Sequence, residues 1–226
     1  MSTQVVFRLN PNLFLRDPSE TELGRAIVEK GAKWIDEKGF EMLTFKKLAG
    51  EINSTEASIY RYFENKHRLL LYLVSLYWVR LHQLSKLSSA NIGNPVERLQ
   101  KIVAMLCNPK EQDMLISPDL DMLRRIVIAE SSKSYLIKEV DALNKEGLYL
   151  ELKGMSNFLA EGIKLVNPAY PFPNAIAIMI IDAIHNQHFF MEHLPSLSNF
   201  GKDKLPKERL NEFAFGILMK TITPAG

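Results

Sequence analysis

Apolar residues recur at helical spacing along almost the whole chain. Ile27, Gly31, Trp34 and Ile35 share one face of a segment from about Thr21 to Lys38, which Gly39 closes. A second segment opens at Thr44, whose hydroxyl can cap it; Leu48 and Ile52 fall at i and i+4, and Ala49 is small enough for a close helix crossing. Asn53 stands where the chain must reverse, because Asn tolerates the left-handed conformation, and Thr55 can cap a third helix with Ile59 and Phe63 inward. Asn65 can cap a long helix to about Leu87 with a seam of Leu69, Leu70, Leu73, Leu76, Tyr77, Leu81 and Leu84. Further helices are predicted over 95–107, 118–133, 135–164, 174–194 and 207–222, separated by Pro and Gly. The expected fold is all-α: a three-helix, helix-turn-helix domain followed by a larger helical domain. Residues 1–19 form a non-helical lead in which Val5, Phe7 and Leu9 alternate with polar residues. Phe7, Leu13, Phe14 and Leu15 are too apolar to stay solvated, so the lead is expected to pack on the domain rather than carry Arg8 or Arg16 into a minor groove.

The third helix carries the chemistry. At about 100° per residue, with the core direction between Ile59 and Phe63, Arg61 points away from the core and Ala57 and Ser58 fall within about 60° of it. Tyr60 and Tyr62 flank the two sides at about 80° from the core. Such a face suits a major groove: Arg reaches guanine edges, Ser bonds either base type, Ala touches a thymine methyl and tyrosine hydroxyls bond phosphates. Glu56 lies only about 40° from the core direction but, at the helix start, can accept from a cytosine amine. Thr44, Thr55 and Lys66 are placed for phosphates, with Lys46 and Lys47 on the preceding helix beside them. The expected DNA-binding set is Thr44, Lys46, Lys47, Thr55, Glu56, Ala57, Ser58, Tyr60, Arg61, Tyr62 and Lys66.

These residues resemble the signature of TetR-family transcriptional regulators, at Thr44, Leu48, Ala49, Thr55, Ala57, Ser58, Ile59, Tyr60, Tyr62, Phe63, Asn65 and Lys66. The resemblance runs over about residues 21–85. It departs in the turn, where the family usually has Gly then Val and this chain has Asn53 and Ser54. The resemblance implies an arm (1–20), a DNA-binding domain (21–66) and an effector-binding and dimerisation domain (67–226) whose linking helix (67–87) transmits ligand binding to the DNA-reading heads. It also implies a homodimer formed through the helices at about 174–194 and 207–222, reading a pseudo-palindromic operator in double-stranded DNA; the lack of an export or membrane signal gives the expectation of a cytoplasmic protein. Repression is the family default, and release by a small, mostly apolar effector is expected of this chain.

Composition fits this picture without deciding it. Hydrophobic residues make up 46% of the 226 and the formal net charge is +2, with the basic excess confined to the first 86 residues. The single cysteine, Cys107, excludes an internal disulfide and reads as a small buried hydrophobe. The longest apolar run, Ala175–Ile181, is far short of a bilayer span. Both C-terminal helices are apolar on more than one face, as a helix buried on two sides would be. Met105, Tyr149, Met155, Phe158, His185 and His188 are candidate effector-pocket residues. His188 and Glu192 at i and i+4 lack further ligands, so no metal is expected, and no cofactor. No phosphate loop, nucleophile elbow or paired cysteines point to an enzyme. Two other readings stay open: an architectural DNA-binding protein without effector, and an apolar-ligand carrier or enzyme with a vestigial head.

Overall fold

A computed structural model of the chain describes residues 7–109, 117–130, 132–200 and 206–223. Its contacts divide the chain into two units, Met1–Arg80 with Asp113–Glu151, and Leu81–Gln112 with Leu152–Gly226. All regular structure among the described residues is helical.

The first unit begins with α1 (Glu22–Lys38), capped by Thr21, whose hydroxyl accepts the Gly24 N–H at 3.0 Å. It ends at Gly39, which has φ +81 and returns its N–H to the Ile35 carbonyl. Ile27, Gly31 and Ile35 are buried as the spacing predicts, with Val28 and Ala32 beside them, whereas Trp34 is half-buried with Lys38 Nζ 3.8 Å from its ring centroid. A 3-10 turn (Phe40–Met42) leads to α2 (Phe45–Glu51), and Asn53, at φ 50, supplies the left-handed residue before α3 (Glu56–Tyr60). α4 (Lys66–Ser89) starts at Asn65, whose side chain accepts the Arg68 N–H at 2.9 Å. From Leu69 to Leu81 every residue of α4 is buried, so this helix is enclosed on all sides rather than along one seam.

The lead packs on the same unit. Leu13 is 1% exposed, the Phe14 ring meets the Tyr72 ring edge-on at 6.1 Å, and the Leu15 N–H donates to the Tyr62 carbonyl at 2.8 Å. Gly24 is needed here, because a Cβ would sit 2.4 Å from the Pro18 carbonyl oxygen. Val5, part of the expected alternation, lies outside the described residues.

Contacts in the first unit draw in a segment that the sequence-based division leaves with the second domain. Here lie α6 (Leu120–Glu130), α7 (Ser132–Tyr135) and α8 (Val140–Lys145), with α5 (Pro95–Cys107) preceding them in the chain. Arg125 grips both carboxylate oxygens of Asp36 on α1, at 2.8 and 2.6 Å, and the Glu130 carboxylate accepts the Phe40 N–H at 3.0 Å. Arg68 pairs with Glu146 at 2.9 Å, and the Asn10 and Asn12 side chains both donate to the Glu146 carbonyl. These pairs join residues some 80 to 140 apart, which helical periodicity cannot reveal.

The helix expected over 135–164 is broken. Gly147, at φ +79, ends α8 by bonding Asn144, and α9 begins afterwards (Leu150–Val166). In the second unit α5 packs against α11 (Pro206–Ile222) and α10 (Pro173–His193), and the bare Gly162 lets α9 close on Leu99 and Ile102 of α5. The His188 ring is buried with its Nε2 2.9 Å from the Cys107 carbonyl.

Candidate nucleic-acid interface

Two short helices and their caps build the candidate surface. Thr44 accepts the Lys47 N–H at 3.3 Å to start α2, and Thr55 accepts the Ser58 N–H at 3.2 Å to start α3. Ile59, fully buried, pins α3 to the core, with Phe63 beneath it against Tyr72. The opposite side is open: Thr44, Lys46, Thr55, Ala57, Tyr60 and Arg61 are exposed, while Glu56 and Ser58 are half-buried. The Ser58 hydroxyl lies 2.8 Å from that of Thr55, so it is oriented while keeping further bonding capacity. Tyr60, 46% exposed, rests its ring edge-on against Phe45 at 5.0 Å, leaving the hydroxyl end toward solvent.

Tyr62 departs from the expectation. It is 3% exposed, and its hydroxyl is 2.7 Å from that of Thr21 rather than on a groove-facing flank. The cause is the length of α3. The helix stops at Tyr60, so a rotation of about 100° per residue no longer applies two positions on. Tyr62 instead ties the end of the reading helix to the start of α1.

Two lysines are committed more than their sequence positions imply. Lys66 Nζ lies 3.3 Å from both the Phe40 and Glu41 carbonyls and 4.6 Å from the Phe40 ring centroid. It thereby staples the 3-10 turn before α2 to the start of α4. Lys47 Nζ donates to the Met42 carbonyl at 3.0 Å, although Lys47, like Lys46, is exposed. Sequence reasoning missed the part of Thr21, although a Thr just before an amphipathic segment signals a cap. Arg16, weighed from the sequence only for a minor groove, has its guanidinium 5.6 Å from the Tyr62 ring centroid.

The candidate effector residues separate into two groups. Tyr149 belongs to the first unit and donates to the Ser134 carbonyl at 2.7 Å. Met105, Met155, Phe158 and His188 are buried in the second unit, with His185 half-buried. Phe158 has the His82 ring 5.3 Å away and the Arg98 guanidinium 6.0 Å away. Burial, and then the charge of Lys86, push His82 down to about 4, which keeps the ring neutral at pH 7. Burial pushes the Cys107 thiol up to about 12. No three His, Cys, Asp or Glu side chains gather as a metal site among the described residues.

Comparison with known proteins agrees with this geometry. The chain resembles the crystal structure of AibR in complex with isovaleryl coenzyme A and operator DNA, at 20% identity over 89% of this chain and 98% of that one, with a TM-score of 0.57. It also resembles the fatty acid degradation regulator FadR from Bacillus halodurans, at 19% identity over 86% and 97% of the two chains, with a TM-score of 0.61. The ketosteroid transcriptional regulator KstR2 of Mycobacterium tuberculosis matches at 15% identity over 93% and 100%, with a TM-score of 0.54. At such identities these likenesses establish the fold. No protein of curated function matches the chain in sequence. Residues 27–73, which run from the core of α1 through α2 and α3 into α4, match the model of bacterial regulatory proteins, tetR family.

Proposed function

We propose that the protein is a dimeric transcriptional repressor that holds a pseudo-palindromic operator and lets go when a small, mostly apolar effector binds. The observation that carries the reading is the open face of α3, where Ala57, Tyr60 and Arg61 stand exposed around a fully buried Ile59. An arginine beside a small residue, between capped helix starts, offers guanine recognition together with phosphate contacts on the groove walls.

Dimerisation is supported by the exposed apolar side chains of the two C-terminal helices. Met179 on α10 is 63% exposed, and Phe213 and Ile217 on α11 are 44% and 42% exposed. Gly216 between them has nothing within 4 Å of where a Cβ would be, so another helix can come close there. A second copy meeting these faces would form a four-helix interface. It would set two heads for half-sites about 34 Å, or a multiple, apart. An apolar effector is supported by the largely apolar interior of the second unit, with Met105, Met155 and Phe158 inside it. The regulators named above concern acyl-coenzyme A, fatty acids and ketosteroids, a range of chemistry that such an interior would suit.

Selection from random duplexes with the purified protein tests the reading. An enriched pseudo-palindrome is expected, and the absence of any enriched site would overturn it. Thermal-shift screening should then find an apolar compound that raises the melting temperature and lowers affinity for the selected duplex.

A further inference from the structure

Arginines of this chain differ in what they hold: Arg25 and Arg80, for example, donate to the Ser19 and Pro118 carbonyls. Arg68, Arg124, Arg125 and Arg209 each pair with a carboxylate, at 2.9, 3.0, 2.6 and 2.6 Å respectively. Arg16 does not: it is exposed, its guanidinium lies over the Tyr62 ring, and no carboxylate pairs with it among the described residues. The adjacent Asp17 is occupied instead with the Ser19 N–H, at 2.8 Å.

Arg16 is also held in place. Leu13 is buried, Phe14 packs on Tyr72, the Leu15 N–H bonds the Tyr62 carbonyl and Pro18 is buried against Gly24. The strap therefore fixes Arg16 beside Tyr62, the residue that follows the exposed Arg61 at the end of the reading helix. Stacking on an aromatic face restrains the guanidinium fork before any ligand arrives, so less entropy is lost when it closes on an oxyanion.

We infer that Arg16 is a phosphate-binding residue, fixed by the packed arm outside the helix-turn-helix and gripping the DNA backbone beyond the C-terminal end of α3. This rests on the DNA-binding reading of α3 above. Asp17, Glu20 and Glu22 follow Arg16 in the chain and would repel a phosphate, a repulsion that Arg16 offsets together with the exposed Arg25 and Arg61.

The test measures binding of wild type, Arg16→Ala, Arg16→Gln and Arg16→Lys to the selected duplex, and to a random-sequence duplex of the same length, across a salt series. Arg16→Ala and Arg16→Gln should lose affinity several-fold on both duplexes, with the salt slope falling by about one while sequence preference is unchanged. Arg16→Lys should recover most of the slope. If Arg16 only staples the arm, Arg16→Ala will lower the melting temperature and leave the salt slope intact, which overturns the inference. Wild type that binds neither duplex at low salt would instead show that the DNA-binding reading has failed, taking this inference with it.

Discussion

The candidate interface on α2 and α3 and the solvent-facing sides of α10 and α11 leave side chains of opposite chemistry exposed. At the head, among the described residues, Arg61 and Arg16 lack the carboxylates that Arg68, Arg125 and Arg209 have found. At the C-terminal helices Met179, Phe213 and Ile217 are 63%, 44% and 42% exposed, with the Phe200 ring 5.4 Å from that of Phe213, whereas Ile180, Leu210 and Leu218 are 3% exposed or less. Unpaired cations fit a polyanion and uncovered apolar side chains fit a copy of themselves. With a net charge of only +2, the chain needs the proposed dimer for useful DNA affinity, since two weak basic faces would then be presented together.

The sharpest way to break the comparison is to charge the apolar side. Phe213→Glu is expected to turn the dimer into a monomer in sedimentation equilibrium and to reduce affinity for a full operator by about 100-fold or more, while binding to an isolated half-site is retained. An unchanged mass would remove α11 from the interface. Arg61→Ala, on the other face, should cost about 1–3 kcal/mol of specific binding at equilibrium and leave the oligomeric state alone.

Two smaller effects separate packing from recognition. Thr55→Ala deletes the α3 cap and should lower stability by about 1 kcal/mol in urea melts, with DNA binding falling alongside because the reading helix frays. In the second unit the neutral His82 makes stability depend on pH. Its folded value of about 4 lies below the ordinary 6.5, so the unfolded chain takes up the proton first. Its contribution is complete above about pH 6.5 and declines as pH falls toward 4. Urea melts at pH 7.5 and 5 should show a loss for wild type that shrinks in His82→Gln; equal losses in both would contradict the assignment.

What was legible in the sequence follows the range of each interaction. The caps at Thr44, Thr55 and Asn65 and the left-handed Asn53 act within three or four residues, and the structure has each of them. The exposed Ala57 and Arg61 and the buried Ile59 follow from rotation along one turn of helix. Tyr62 does not, because α3 is only five residues long and the projection ran past its end. The break at Gly147 was hidden within a segment whose apolar spacing continues on both sides, and only the left-handed backbone reveals it. The attachment of α6 to α1 through Arg125 and Asp36 spans 89 residues, beyond the reach of any local pattern.

The central claim is that the open face of α3 reads bases. Repeating the random-duplex selection with Arg61→Ala, folded and dimeric like wild type, tests it most directly. The account expects a recovered motif with one symmetric pair of positions relaxed and the half-site spacing preserved. A motif identical to that of wild type at every position would show that Arg61 does not read the operator, and would contradict the account.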